Sequence, residues 1–293
     1  MNIAFCINRL GLLGLGTTLT SLIRNCSKPD CLILYFLCAG LLQKDKNQIL
    51  KLLLSEQFEG KCQFIDFDPK ANFGKFKSLH GDWTAYGRLL LPDLIYEDQV
   101  LYLDSDLVVE LDVLELIGFE FNGHALAAVI GGPLSNTLEN NFYIGLLGLS
   151  PHLNSFNSGV LLFNLKEWRL NNIKDNCIQI GCNYPMELLS CDQTILNAYF
   201  AGNFSKLPDG FNCVWYAHKA KPSLSDKMIY HFVGSPKPWD LMGSIIHNGY
   251  PTWKKYSRKD WDSAFGSFTL TSIRRMWKIR RSYTKAVINK IRG

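Results

Sequence analysis

The 293-residue chain contains no apolar run of 18 or more residues, which argues against a spanning helix. Its start, MNIAFCINRLG, has neither a basic leader nor a small-residue cleavage site and reads as a first strand rather than a signal peptide. The nine cysteines are odd in number and include no C-x-x-C pair; several (Cys6, Cys31, Cys38) sit among apolar neighbours. They read as small core residues in a reducing cytosol, not as disulfides. Gly11, Gly14 and Gly16 miss the G-x-G-x-x-G spacing, so the dinucleotide fingerprint is absent and a loop feeding a helix from Thr17 to Arg24 is expected. No repeat or low-complexity segment interrupts residues 1–262. No acidic residue follows Asp262, whereas eight basic ones do, so the net charge of +5 belongs to the tail. With 23 basic and 26 acidic side chains, residues 1–262 carry −3.

What is present is a chain that is 47% hydrophobic and long enough to bury a substantial core. Apolar runs at Ile3 to Ile7, Cys31 to Cys38 and Cys62 to Asp66 alternate with helical patterns, notably Gln43 to Gln57, where Ile49, Leu50, Leu53 and Leu54 share a face. This alternation predicts βαβ units and a mainly parallel sheet. Asp82 to Leu91 reads as a helix ending at Pro92, Ala125 to Ile130 and Phe156 to Phe163 as strands, and Gly131 to Asn154 as a long polar loop. Ser190 followed by Gln193 forms a capping-box pattern that accounts for Gln193 and makes Asp192 a favourable first-turn acid. The domain division expected is 1–262 for the catalytic body and 263–293 for a basic tail.

Asp98 to Glu110, DQVLYLDSDLVVE, is the organising stretch. Val100 to Leu103 is a bulky apolar strand ending abruptly in Asp104-Ser105-Asp106. Carboxylates at i and i+2 face the same side of an extended chain and resist ionising together unless a divalent cation relieves them. Oxygen ligands at the carboxyl end of a central strand suit Mg²⁺ or Mn²⁺. Two other D-x-D pairs, Asp66/Asp68 before Pro69 and Asp260/Asp262 around Trp261, read as a turn and a solvated helix.

Four patches keep a common order: TAYGRLLLPDLI…DQVLYLDSDLVV, FNSGVLLFNLKEWR, CDQTILNAYFAG and HFVGSPKPW. Together they resemble the family 8 glycosyltransferases, in particular bacterial enzymes that add hexoses to lipopolysaccharide or lipooligosaccharide. The resemblance implies a GT-A fold, an αβα sandwich with a mainly parallel mixed sheet, and retaining transfer from UDP-galactose or UDP-glucose with Mn²⁺ as the usual metal. By the same resemblance Asp104, Asp106 and His231 ligate the metal. Ile7, Asn8, Tyr86, Ser105, Gly234 and Lys237 lie at the nucleotide, and His80, Arg88, Asn157, Ser158, Asp192 and Gln193 hold the donor hexose. Asp192 or Gln193 stands near the anomeric carbon. Two carboxylates with one imidazole favour Mn²⁺ over Mg²⁺.

Two departures bear on the donor. Asn8-Arg9 replaces an acidic residue common near the uracil, and Gly131 stands where galactosyltransferase-like members often carry Asp, so glucose stays level with galactose. LDSDLV also matches the opening of dehalogenase-type phosphatases, although that motif normally ends a first strand. A catalytically inactive sugar-nucleotide-binding protein is the other alternative. Acceptor contacts are expected in loops 131–154 and 209–225.

In the tail, Ile273, Met276, Trp277, Arg280, Tyr283, Val287 and Ile291 recur at helical steps against a Lys/Arg face. Such a helix suits an anionic membrane, which predicts peripheral binding at the cytoplasmic face of the inner membrane. A helix docked on the body is the alternative. No groove-reading motif accompanies the charge, so nucleic acid is not expected as a partner.

Overall fold

The structure is a computed structural model. It describes residues 1–224, 226–266 and 270–292, and the side chains of all these except 270, 271, 291 and 292, so the expectation for Ile291 lies outside the described residues.

Strands β1 (Asn2–Asn8), β2 (Ile33–Ala39), β3 (Lys61–Phe67), β4 (Gln99–Leu103), β6 (Leu126–Pro133), β7 (Asn154–Asn164) and β8 (Ser205–Lys206) form one sheet in the order β3-β2-β1-β4-β7-β6-β8. The pairs β3/β2, β2/β1, β1/β4 and β6/β8 are parallel, while β7 runs antiparallel to both β4 and β6. Alternation along β1 sends Ile3, Phe5 and Ile7 into one core and Ala4 and Cys6 into the other, so both faces of the sheet are covered. Helices α1 (Leu12–Asn25) and α2 (Gln43–Ser55) cover the first face; helices Leu165–Leu170, Ile173–Asn183 and Asp192–Phe200 cover the second. This is the expected mainly parallel mixed sheet of an α/β sandwich.

A second, small sheet positions the site. Here β5 (Leu107–Val109) pairs antiparallel with β10 (Ile229–His231), which pairs parallel with β9 (Cys213–Val214). The free edge of β5 is closed by side chains of α1 instead of another strand. Thr18 Oγ1 donates to Leu107 O (2.9 Å) and accepts from Leu107 N (3.1 Å); Ser21 Oγ accepts from Val109 N (2.9 Å), and Asn25 Nδ2 donates to Val109 O (2.9 Å). The spacing of these polar residues, three and four apart, places them on one helix face along the strand.

Several local expectations are corrected. The glycine segment is not a loop: α1 already begins at Leu12, and Gly14 is where the helix meets the Asp-Ser-Asp step, since a Cβ there would lie 2.5 Å from Ser105 O. Leu50 and Leu54 point to solvent (43% and 78% exposed), and the buried face of α2 is Ile49, Leu52 and Leu53. Asp82 to Leu91 is a 3-10 stretch over Thr84–Leu90 that passes into a helical turn containing Pro92 at its start, where the missing N–H costs nothing. Asp68 caps a short helix, Pro69–Phe73, by accepting from Lys70 N and Ala71 N. Cys31 is exposed, unlike Cys6 and Cys38, and all nine cysteines are free. The capping box at Ser190 does not form, since Cys191 is the N-cap residue of Asp192–Phe200 and has φ +54°.

The chain past the sheets packs back onto it. Helix Lys259–Phe265 crosses residue 262 and buries Trp261 in the first core, its Nε1 donating to Leu12 O (2.9 Å). Two further helices follow, Leu270–Lys278 and Arg280–Arg292. Tyr283 and Ala286 dock against Ala217 and Ile246, so one side of the tail meets the body as in the docked alternative. Ile273, Trp277, Val287 and Ile288 stay exposed, with Trp277 at 68%. No helix among the described residues is long and apolar enough to cross a membrane.

Candidate active site

The carboxyl end of β4 delivers Asp104, and the turn into β5 delivers Asp106. Antiparallel pairing sets His231 of β10 opposite Leu107, beside that turn. Ligand atoms of Asp104, Asp106 and His231 all lie within 4.8 Å of one another. His231 Nε2 is 3.3 Å from Asp106 Oδ1 and 3.8 Å from Asp104 Oδ2. Gly159 makes this approach possible, because a Cβ at that position would sit 2.2 Å from His231 Cε1 and 3.0 Å from Asp104 Oδ2.

Two cations bracket the carboxylates. Lys237 Nζ lies 2.5 Å from Asp106 Oδ2 and also donates to Phe232 O. Burial works to raise the Asp106 carboxyl, but Lys237 and His231 outweigh it and hold it well below the ordinary range. On the other side Arg88, 2% exposed, donates through Nη2 to Asp104 Oδ1 (2.9 Å) and through Nη1 to Ser158 O. Its guanidinium lies 4.0 Å from the Tyr102 ring centroid, and Tyr102 OH donates to the same Asp104 oxygen at 2.8 Å.

Asp192 is the anomalous acid. Arg88 Nε is 3.0 Å from Asp192 Oδ2, yet that N–H is aimed at Ala85 O (3.1 Å). The attraction is therefore coulombic without a hydrogen bond, and Asp192 Oδ2 is buried with no hydrogen-bond partner. Burial pushes this carboxyl up to about 6, against the pull of Arg88 and with the help of Asp104. Such a poised, desolvated acid at a site is a signature of function.

Gln193 faces the same space. Its Oε1 accepts from Asn157 Nδ2 (3.0 Å) and Ser158 N (3.1 Å), so its amide oxygen is committed to β7 and not to the helix cap. Asn197 holds helix and strand together, accepting from Phe156 N (2.9 Å) and donating to Phe156 O (3.0 Å).

Asn8 ends β1 by capping the next turn, and donates to Asp82 Oδ2 (2.6 Å) and Thr84 Oγ1 (3.2 Å). Ile7 is buried with its side chain in the core, leaving only backbone to offer. The Ser105 carbonyl accepts from Thr18 Oγ1 (3.0 Å), and Gly234 lies at φ +71°. Tyr86 is fully buried among Phe73 and Phe76, its hydroxyl taken by Lys77 O (2.8 Å). His80 is exposed at φ +59° on the turn closed by Leu79 and Asp82, with no hydrogen bond to the cluster among the described residues.

Sequence reasoning missed Tyr102, Asp82 and Asn212. Tyr102 had a signal: two residues before Asp104 on one strand, it shares that carboxylate's face. Asn212 falls in the 209–225 loop expected to make acceptor contacts, but nothing local marked it as a partner of His231.

The site fits a divalent cation. Asp106 Oδ1 is inaccessible and lacks a hydrogen-bond partner, beside a second carboxylate and an imidazole nitrogen. A hard–borderline O,O,N donor set of this kind suits Mn²⁺.

Comparisons with known proteins agree with this geometry. The family model described as glycosyl transferase family 8 matches residues 2–243. A probable glycosyl transferase Gly of Streptococcus gordonii is 31% identical over 61% of this chain and 25% of its own length. The glycosyltransferase GlyE of Streptococcus pneumoniae serotype 4 is 27% identical over 73% of this chain and 50% of its own. The chain thus spans a quarter to a half of these relatives. The lipopolysaccharide 1,3-galactosyltransferase of Salmonella typhimurium is 24% identical over 85% of this chain and 76% of its own. Among solved structures, the galactosyltransferase LgtC in complex with donor and acceptor sugar analogs aligns with a TM-score of 0.73 at 24% identity, covering 90% of this chain and 99% of that one. The likeness to LgtC fixes the fold as GT-A.

Proposed function

The chain belongs to glycosyl transferase family 8, and from that premise we propose that it is a retaining hexosyltransferase. It moves glucose or galactose from a UDP-sugar to a saccharide acceptor in the synthesis of lipopolysaccharide or another surface glycan. The observation that carries this reading is the gathering of Asp104, Asp106 and His231 beside Lys237, with Arg88 and Asp192 on the adjoining wall.

Asp104, Asp106 and His231 would hold Mn²⁺, with Mg²⁺ as a weaker substitute. When bound, the metal supplies Lewis-acid neutralisation of the departing diphosphate. Lys237 adds a positive charge on the same side, and the Gly234 backbone permits close approach of phosphate oxygens. Ile7, Asn8, Tyr86 and Ser105 form the proposed nucleotide side, where Ile7 acts through its backbone and Tyr86 shapes the wall from within the core. Arg88, Asn157, Ser158, Asp192 and Gln193, with His80 at the rim, are assigned to the hexose. Gln193 has its Oε1 engaged twice, so it presents Nε2 as a donor to a sugar hydroxyl. Asp192 offers an unpartnered oxygen as hydroxyl acceptor.

The acceptor would enter a cleft of about 500 Å³ between Ile130, Gly131, Val214 and Leu224, which reaches Asn157 and Asn212 on its inner side. The tail would hold the enzyme at the cytoplasmic face of the inner membrane, with exposed Trp277, Val287 and Ile288 in the interface and basic side chains at lipid phosphates. A screen of UDP-sugars for Mn²⁺-dependent hydrolysis tests the core reading. Asp104→Asn and Asp106→Asn should abolish turnover, and variants as active as the parent would refute the metal site.

A further inference from the structure

His231 faces the carboxylates through Nε2. A neutral imidazole ligates a cation from that nitrogen only when its proton resides on Nδ1. Nδ1 is 3.1 Å from Asn212 Oδ1. The other end of the Asn212 amide settles which way it points: Nδ2 donates to Asn157 O (3.2 Å) and to Asn157 Oδ1 (3.1 Å), both of which only accept. The atom presented to His231 is therefore the oxygen, and His231 must supply the proton. The same logic continues outward. Asn157 Oδ1 also accepts from Gly159 N (3.0 Å), which turns Asn157 Nδ2 toward Gln193 Oε1. Every amide in this chain has one orientation, and at its inner end Asn212 and His231 are only 6% and 4% exposed.

We infer that Asn212 is a positioning residue that holds His231 as the Nδ1–H tautomer, aims the Nε2 lone pair into the carboxylate cluster, and ties that ligand through Asn157 to the hexose side of the site. The inference rests on the metal reading of the cluster. With the proton on Nε2 instead, the imidazole would donate to Asp106 and bring two lone pairs face to face at Asn212. Partners of this kind behind a metal-bound histidine fix both its tautomer and its ring orientation.

The test has two arms. Long-range ¹⁵N–¹H spectra of metal-free protein, recorded with the imidazole neutral and the signal assigned by its loss in His231→Asn, should show the proton on Nδ1; finding it on Nε2 overturns the inference. Titration with Mn²⁺ alone, without any sugar nucleotide, should show affinity falling about 10–100-fold in Asn212→Leu, the range seen for lost partners of metal-bound histidines. Asn212→Asp keeps an acceptor for Nδ1 but loses the donor to Asn157, and should retain more Mn²⁺ affinity than Asn212→Leu. Unchanged affinity in a folded Asn212→Leu overturns the inference while leaving the metal site intact. A parent that binds no Mn²⁺ overturns the metal reading and this inference with it. Should Asn212→Leu not fold, the tautomer in the parent decides alone.

Discussion

Asp192→Asn is expected to alter how stability depends on pH, and the sign of the change ranks two opposed effects. In the native state burial outweighs the attraction of Arg88 and raises the carboxyl from 3.8 to about 6. This displacement corresponds to about 3 kcal/mol. Because the folded value lies above the unfolded one, the native state binds more protons between them. The contribution to stability is complete below about pH 4 and is lost as pH rises through about 6. Asparagine has no such slope, and Arg88 keeps Asp104 as its partner at 2.9 Å, so the substitution strands no cation. Urea unfolding of metal-free parent and variant, from about pH 4 to about pH 7, should therefore show the variant gaining on the parent by about 3 kcal/mol. A gap that stays flat, or that closes as pH rises, would mean that the Arg88 pair dominates burial and that the reasoning about Asp192 is wrong. If the ionised carboxylate is needed for transfer, the parent's kcat should fall below about pH 6 along the same curve.

Gly159→Ala should weaken Mn²⁺ binding measured by calorimetry, because its methyl group would displace the His231 ring; an unchanged isotherm would show that the ring has room to move. Arg88→Leu leaves Asp104 and Asp192 facing one another without their shared cation and should cost about 3–5 kcal/mol in denaturant unfolding, a loss under about 1 kcal/mol contradicting the assigned role. Ile130→Trp, placed in the proposed acceptor cleft, should suppress transfer while sparing hydrolysis of the donor; equal loss of both would move the cleft to the donor side. Trp277→Ser combined with Arg280→Gln should reduce sedimentation with phosphatidylglycerol vesicles relative to the parent, and equal sedimentation would remove the tail from the interface.

Much of the architecture was legible because buried strands announce themselves: β1, β2 and β4 are short apolar runs, and their ends, like those of the more polar edge strand β3, match the observed ones within two residues. The Asp104/Asp106 pair was legible at its strand end, but His231 joined it only through a resemblance spanning four patches, since 125 residues separate Asp106 from His231 and no local pattern joins them. The errors came where tertiary contacts overrode local signals. Gly14 lies inside a helix, and its lack of a side chain serves the close approach of a backbone carbonyl from the Asp-Ser-Asp turn. Gln193 resembled a cap residue but bonds across to β7, and Leu50 and Leu54 fit a helical stripe that the sheet covers from a slightly different angle. Asn212 was invisible, since a loop asparagine gains meaning only from what the fold sets beside it.

One carboxylate described by neither half of the chain alone joins them. Asp240 accepts from Lys237 N at 2.8 Å and from Arg275 Nε and Nη2 at 2.7 and 3.1 Å. It is a shared hinge pin: the same acid anchors the loop that carries Lys237 and the first turn-and-a-half of the tail. Lipid phosphates compete for guanidinium groups on the same terms as a carboxylate does. An anion that drew Arg275 away would therefore have to release it from a residue three positions from Lys237, so displacement of that helix and the shape of the Lys237 loop share one mechanical joint.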